Sequence, residues 1–101
     1  MQTQVVHNAE EQRYEVWADG ELAGYTQYHL YKGALAFIHT EIDVRFEGTG
    51  LGSTLVHGAL DEVRRRGESV LPFCPFVRGY ITRHREYVDL VPADDRDSFG
   101  L

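Results

Sequence analysis

The chain has 101 residues, 43% of them hydrophobic, and sets 16 acidic against 10 basic side chains for a net charge of −6. That length is one domain, that apolar share excludes wholesale disorder, and the acidic balance excludes a non-specific nucleic-acid binder, which needs a basic face. No apolar run approaches the ~18 residues of a membrane span, the opening MQTQVVHNAEEQ lacks the basic-then-apolar pattern of a leader, and one cysteine, Cys74, permits no disulfide within the chain. The expectation is a cytoplasmic protein with no membrane and no nucleic-acid partner.

RYEVWA (13–18) sets Tyr14, Val16 and Ala18 against Arg13, Glu15 and Trp17, the period of a strand. Asp19-Gly20 is a hairpin turn signal, ELAGYTQYHLY (21–31) is an aromatic-rich second strand, and Lys32-Gly33 is a second turn. ALAFIHTEIDV (34–44) is a third strand, with Ala36, Ile38, Thr40 and Ile42 on one face and Leu35, Phe37, His39, Glu41 and Asp43 on the other. After a glycine-rich stretch, Leu51, Leu55, Val56, Ala59, Leu60 and Val63 form one helical stripe. The run RRRG (64–67) closes that helix with cations in its last turn and glycine beyond. ESVLPFC (68–74) is a short buried strand, Pro75 suits the first turn of a helix, and Phe76, Tyr80 and His84 recur along 76–87, flanked by Val77 and Ile81. The order is β-β-β-α-β-α: an α/β (α+β) mixed sheet, an antiparallel meander followed by a parallel crossover. Residues 1–11 and 92–101 are expected to be loosely held.

EGTGLGST (47–54) places Gly48, Gly50 and Gly52 between a strand and a helix start. Glycine costs about 0.5–1 kcal/mol against alanine in regular structure, so the run is expected to serve an unusual turn or a close approach. Unpaired N–H groups and the positive end of the helix dipole converge at such a junction, which makes it an anion site; the alternative is a tight turn with close helix–sheet packing. A P-loop would need G-x-x-x-x-G-K-[ST], and no lysine follows; the third glycine comes one residue too early for G-x-G-x-x-G.

EGTGLGSTLV, the HTEID strand before it and LPFCPFVRGYITRHREYVDLV after it occur in the order found in small single-domain GNAT-type N-acetyltransferases, and residues 12–91 resemble that family. The resemblance implies acetyl-coenzyme A as donor and an amine acceptor, either a small molecule or a lysine-bearing protein. The superfamily signature Q/R-x-x-G-x-G/A fits literally from Arg45 (RFEGTG) and, with Glu47 in the Gln/Arg place, as EGTGLG. The second register sets Gly52 at the helix start and is preferred; main-chain amides rather than the Glu47 side chain then carry the contact. On this resemblance Gly48, Thr49, Gly50, Leu51, Gly52 and Ser53 hold the pyrophosphate, with Arg45 offsetting its charge. Ile42 and Val44 offer main-chain groups to the pantetheine arm as an added strand, and Cys74 and Tyr80 stand near the thioester.

Acetyl transfer needs a neutral amine, a stabilised carbonyl oxygen and a proton for the leaving thiolate. The candidate catalytic residues are Cys74, as nucleophile or as lining of the cofactor slot; His39 and Glu41, two apart on one strand face, as base; and Tyr80, as acid or as core packing. Arg78, Arg83 and Arg85 are either solvated or near coenzyme phosphates. Two further readings stay open: a coenzyme A-binding module without turnover, and an interaction domain using its sheet and acidic surface. The acceptor and the oligomeric state are not legible.

Overall fold

A computed structural model describes residues 1–101. Five strands form one sheet in the order β1-β2-β3-β4-β5: Thr3–Asn8, Arg13–Ala18, Glu21–Tyr31, Ala34–Ile42 and Ser69–Pro72. The first four pair antiparallel and β5 joins β4 in parallel. Helix α1 (Leu51–Arg65) makes the crossover, and α2 (Pro75–Arg83) follows β5. The mixed sheet, the meander and the parallel crossover are as expected.

The N-terminal expectation needs correction, because Thr3–Asn8 is an edge strand along the full length of β2, from Thr3 opposite Ala18 to Asn8 opposite Arg13. An edge strand packs on one side only, so its two apolar residues, Val5 and Val6, suffice, and the polar rest gives no strand period. Its seat is tight: a Cβ on Gly58 of α1 would lie 2.8 Å from the Val5 side chain. The tail 92–101 is likewise held. Phe99 packs edge-on against Phe73 at 5.1 Å between centroids, the Arg96 guanidinium donates to Val91 O at 2.9 Å, and Phe99 covers Ala34, Ala36 and Leu71 on the sheet face opposite α1.

Both turns form as read: Asp19-Gly20 and Lys32-Gly33 have positive φ at both residues, the hairpin geometry that follows the sheet's twist. The six stripe residues of α1, Leu51, Leu55, Val56, Ala59, Leu60 and Val63, are all buried, and they pack on Tyr14, Val16, Leu35 and Phe37. The α2 stripe differs from expectation. Val77, Tyr80 and Ile81 are buried, Phe76 is exposed, and the helix stops at Arg83, with Arg85–Leu90 continuing as a 3-10 turn.

One irregularity decides the site. The β3–β4 register runs Gln27 opposite His39 and then Tyr28 opposite Phe37, which leaves Ile38 as an extra residue on β4. A bulge of this kind shifts the phase of the pleat. Leu35 and Phe37 face α1, as one side of a regular strand, but beyond Ile38 it is Thr40 and Ile42 that turn to the helix side, while His39 and Glu41 turn outward. The two faces expected for a regular strand are therefore each split at the bulge.

Candidate functional site: a glycine turn beside an open strand edge

The three glycines serve two ends. Gly48 and Gly50 have φ of +77° and +81°, a region L-residues avoid, and the space where a Cβ would sit is open at both. Gly52, inside α1, is a packing glycine, for a Cβ there would lie 2.6 Å from the Phe76 ring. Strand β4 ends at Ile42, a 3-10 turn (Val44–Phe46) follows with Asp43 as its cap, and the Thr49 hydroxyl donates back to Phe46 O. Gly50 caps α1 in the left-handed conformation, and its carbonyl accepts from the Thr54 N–H.

None of the N–H groups of Gly48, Thr49, Gly50, Leu51, Gly52 and Ser53 donates to a protein oxygen. Leu51, Gly52 and Ser53 lack partners because a helix has no carbonyl one turn ahead of its start; no acidic side chain lies in that first turn to offset the dipole. A concavity of about 270 Å³ opens on these groups, walled by Ile42, Phe46, Glu47 and Phe76. A second, of about 510 Å³, adjoins it through Ile42 and Glu47 and is bordered by Tyr25, Glu41, Asp43 and Val44. The widest concavity, about 580 Å³, lies against β1 and β2 by Glu15 and Trp17 and shares no residue with the turn.

The edge of β4 is open beyond Phe37. Pairing with β5 runs from Ala34–Ser69 to Phe37–Pro72 and stops, with the Cys74 N–H donating to Phe37 O at 2.8 Å. The Asp43 N–H donates to Ala23 O on β3. The two-residue alternation of a strand then points the main-chain groups of Thr40 and Ile42 away from β3, toward the unpaired edge. Val44 departs from its expected place. It heads the 3-10 turn, its carbonyl accepts from Glu47, and its side chain is 75% exposed. Arg45 is held by carboxylates, its guanidinium 3.2 Å from Asp43 and 3.4 Å from Glu21.

Cys74 caps α2 and is 3% exposed. Its sulfur has one hydrogen-bond partner, Thr40 Oγ1 at 3.2 Å, and Thr40 in turn meets Thr26 Oγ1 at 2.9 Å. No histidine, lysine or carboxylate reaches the sulfur. His39 and Glu41 do share a face, the outer one. Glu41 accepts from the Tyr25 hydroxyl at 3.0 Å, and the His39 ring lies 6.2 Å from that of Tyr25. Cys74 and this pair thus stand on opposite sides of the β4 edge.

The Tyr80 hydroxyl is directed to α1. It meets His57 Nδ1 at 3.3 Å, where Tyr87 also arrives at 3.0 Å while donating to Asp61 at 2.6 Å. Burial, then the nearby Glu86 and Asp61, push the Tyr80 phenol up. Burial, then the Asp61 hydrogen bond, push Tyr87 up as well. This cluster pins the Arg85–Leu90 turn to α1 and engages the group expected to serve as acid. Sequence reasoning missed Thr40, Thr26 and Phe76 as neighbours of the site. For Thr40 the signal was hidden by the bulge, and for Phe76 it was the small residue at Gly52, which makes room for a ring.

No helix is long and apolar enough to cross a membrane. No curated protein matches the chain. Among solved structures, a ribosomal-protein-alanine N-acetyltransferase from Brucella melitensis biovar Abortus 2308 is similar at 20% identity and a TM-score of 0.47, over 80% of this chain and 61% of that one. The chain thus spans less than two thirds of that neighbour's length. The profile described as GCN5-related N-acetyl-transferase matches residues 13–90, a stretch that includes β2 to β5, the glycine turn and Cys74, and the chain belongs to that family.

Proposed function

We propose that the chain is an acetyl-CoA-dependent N-acetyltransferase acting on an amine. The observation that carries the reading is the run of unpaired N–H groups from Gly48 to Ser53 at an uncompensated helix start. Together with the missing Cβ atoms at Gly48 and Gly50, it suits a diphosphate. The residues that would hold the coenzyme are Gly48, Thr49, Gly50, Leu51, Gly52 and Ser53 through their amides, Thr40 and Ile42 through the open edge of β4, and Cys74 beside the thioester. Bound acetyl-CoA supplies an activated acetyl group.

The chain's own residues supply placement and proton handling. The N–H groups of the turn bind and orient, and the strand edge fixes depth by main-chain pairing. Much of the rate in such a reaction comes from this positioning. Glu41 and His39, on the outer face, are placed to take the proton of an amine that arrives from that side. With the Tyr80 hydroxyl engaged by His57, it falls to Cys74 to stand at the sulfur side of the cleft. With no base at its own sulfur, we infer direct attack by the amine rather than a covalent relay through Cys74.

Titration calorimetry with acetyl-CoA tests binding, and release of free thiol in the presence of polyamines or lysine peptides tests transfer. No heat at millimolar acetyl-CoA sinks the reading. Binding without thiol release selects the second reading, a coenzyme A-binding module, which the missing base at Cys74 and the engaged Tyr80 hydroxyl favour.

A further inference from the structure

We propose that Thr26 and Thr40 form a one-way hydroxyl chain that makes the Cys74 sulfur a hydrogen-bond acceptor, with Thr40 as the positioning residue for that sulfur. Thr26 and Thr40 are directly opposed on β3 and β4, their oxygens 2.9 Å apart, and Thr40 Oγ1 is 3.2 Å from Cys74 Sγ. Thr26 is wholly buried at 0% exposure, and its hydroxyl has no partner but Thr40.

That isolation sets the direction. If Thr40 donated to Thr26, the Thr26 proton would have no acceptor in a dry core. A buried hydroxyl left without its partner is costly. If Thr26 donates to Thr40, the Thr40 proton is free for the sulfur, and the only group left undonated is the S–H, a weak donor that loses little. The chain therefore runs from Thr26 to Thr40 to Cys74. The bulge at Ile38 is what permits it, because on an unbulged β4 Thr40 would fall on the outer face.

The Thr40 hydroxyl then holds the sulfur as its proton leaves, and the hydrogen of Cys74 is turned away from Thr40. Resting on the proposed acetyl transfer, this gives the Cys74 S–H a task. It donates its proton to a departing thiolate as the amide forms and the acyl C–S bond breaks, and the surplus proton of the amine nitrogen restores it through solvent. Cys74 thus takes the acid role that the Tyr80 hydroxyl is not placed to fill.

The chain has a single cysteine, so methylthiolation by methyl methanethiosulfonate, followed by intact mass, reads Cys74 alone and needs no coenzyme. At pH 8, Thr40→Val is expected to slow modification of the folded protein about fivefold, the rate equivalent of one hydrogen bond of ~1 kcal/mol. Thr40→Ser, which keeps the hydroxyl, is expected to stay within about twofold of the native rate. Rates in 6 M guanidinium serve as the unfolded reference, and denaturant titration confirms that each variant is folded. An unchanged or faster Thr40→Val, a Thr40→Ser as slow as the valine variant, or a native sulfur that does not react at all, each overturns the proposal. Calorimetry with acetyl-CoA on the native chain keeps the two ideas apart: no binding removes the transferase reading, while the modification rates still decide the hydroxyl chain.

Discussion

Replacing Gly50 with alanine separates what the turn needs for its shape from what it needs for a ligand. Gly50 sits at φ +81° and ψ 8°, and no atom lies within 4 Å of the place a Cβ would take. The cost to the free protein is therefore conformational only, about 1–2 kcal/mol for an L-residue held left-handed. For a domain of this size, a stability loss of that order lowers Tm by roughly 5–10 °C, which leaves a folded protein at 25 °C. The added methyl, however, stands beside the N–H groups proposed to meet a diphosphate, where contact requires the backbone to be bare. Acetyl-CoA affinity is expected to fall more than about tenfold, that is, by over ~1.4 kcal/mol. Scanning calorimetry gives the first quantity and isothermal titration the second. A variant whose Tm falls as expected but whose Kd stays within about twofold of native would refute the placement of the diphosphate on this turn.

Cys74→Ala is expected to lower thiol release by about a hundredfold, the low end of what a proton donor contributes, with acetyl-CoA affinity nearly unchanged. Complete loss of turnover together with a trapped acetyl-cysteine in the native protein would instead establish a covalent relay. Gly58→Ala brings a Cβ within 2.8 Å of Val5, and such overpacking costs about 1–3 kcal/mol. Hydrogen exchange should show the loss first in β1. Gly79→Ala meets only the mobile end of Arg83 at 3.3 Å, so the helix gain prevails and denaturant stability should rise by about 0.5–1 kcal/mol. The His7 imidazole is lowered from its ordinary value, mainly by burial and then by Arg66. Folding thus favours the neutral ring, a contribution complete above the ordinary value of ~6.5 and lost as the pH falls below it. Tm should drop between pH 7.5 and 5.5, and His7→Gln should flatten that slope; an unchanged slope counts against the assignment.

Much of the fold was legible because periodicity survives wherever one face is buried. The α1 stripe from Leu51 to Val63 and the alternation of Tyr14, Val16 and Ala18 needed no tertiary information. Strand β1 was not legible, since a polar edge with Val5 and Val6 at its centre gains its structure from β2 and α1 rather than from its own pattern. Composition alone marks the glycine turn as a candidate anion site, yet it does not give the division of labour between Gly50 and Gly52, which depends on where the Phe76 ring comes to rest. Tyr80 lies on the helix where expected, but the direction of its hydroxyl follows from His57, an exposed residue of α1 that no local pattern connects to α2. Thr40 was assigned to the wrong neighbours for a single reason, the extra residue at Ile38, which leaves no mark in an otherwise alternating strand.

That extra residue makes strand length, and not only residue identity, part of the site's chemistry. Excising Ile38 would give a more regular ladder with β3 and cost little in ordinary terms. It would leave His39 directly after Phe37, so the imidazole and the carboxylate would stay outward and the hydroxyl inward. A strand that kept every residue but lost the bulge would turn them over, so aligned relatives should either carry the bulge or lack one residue at this place.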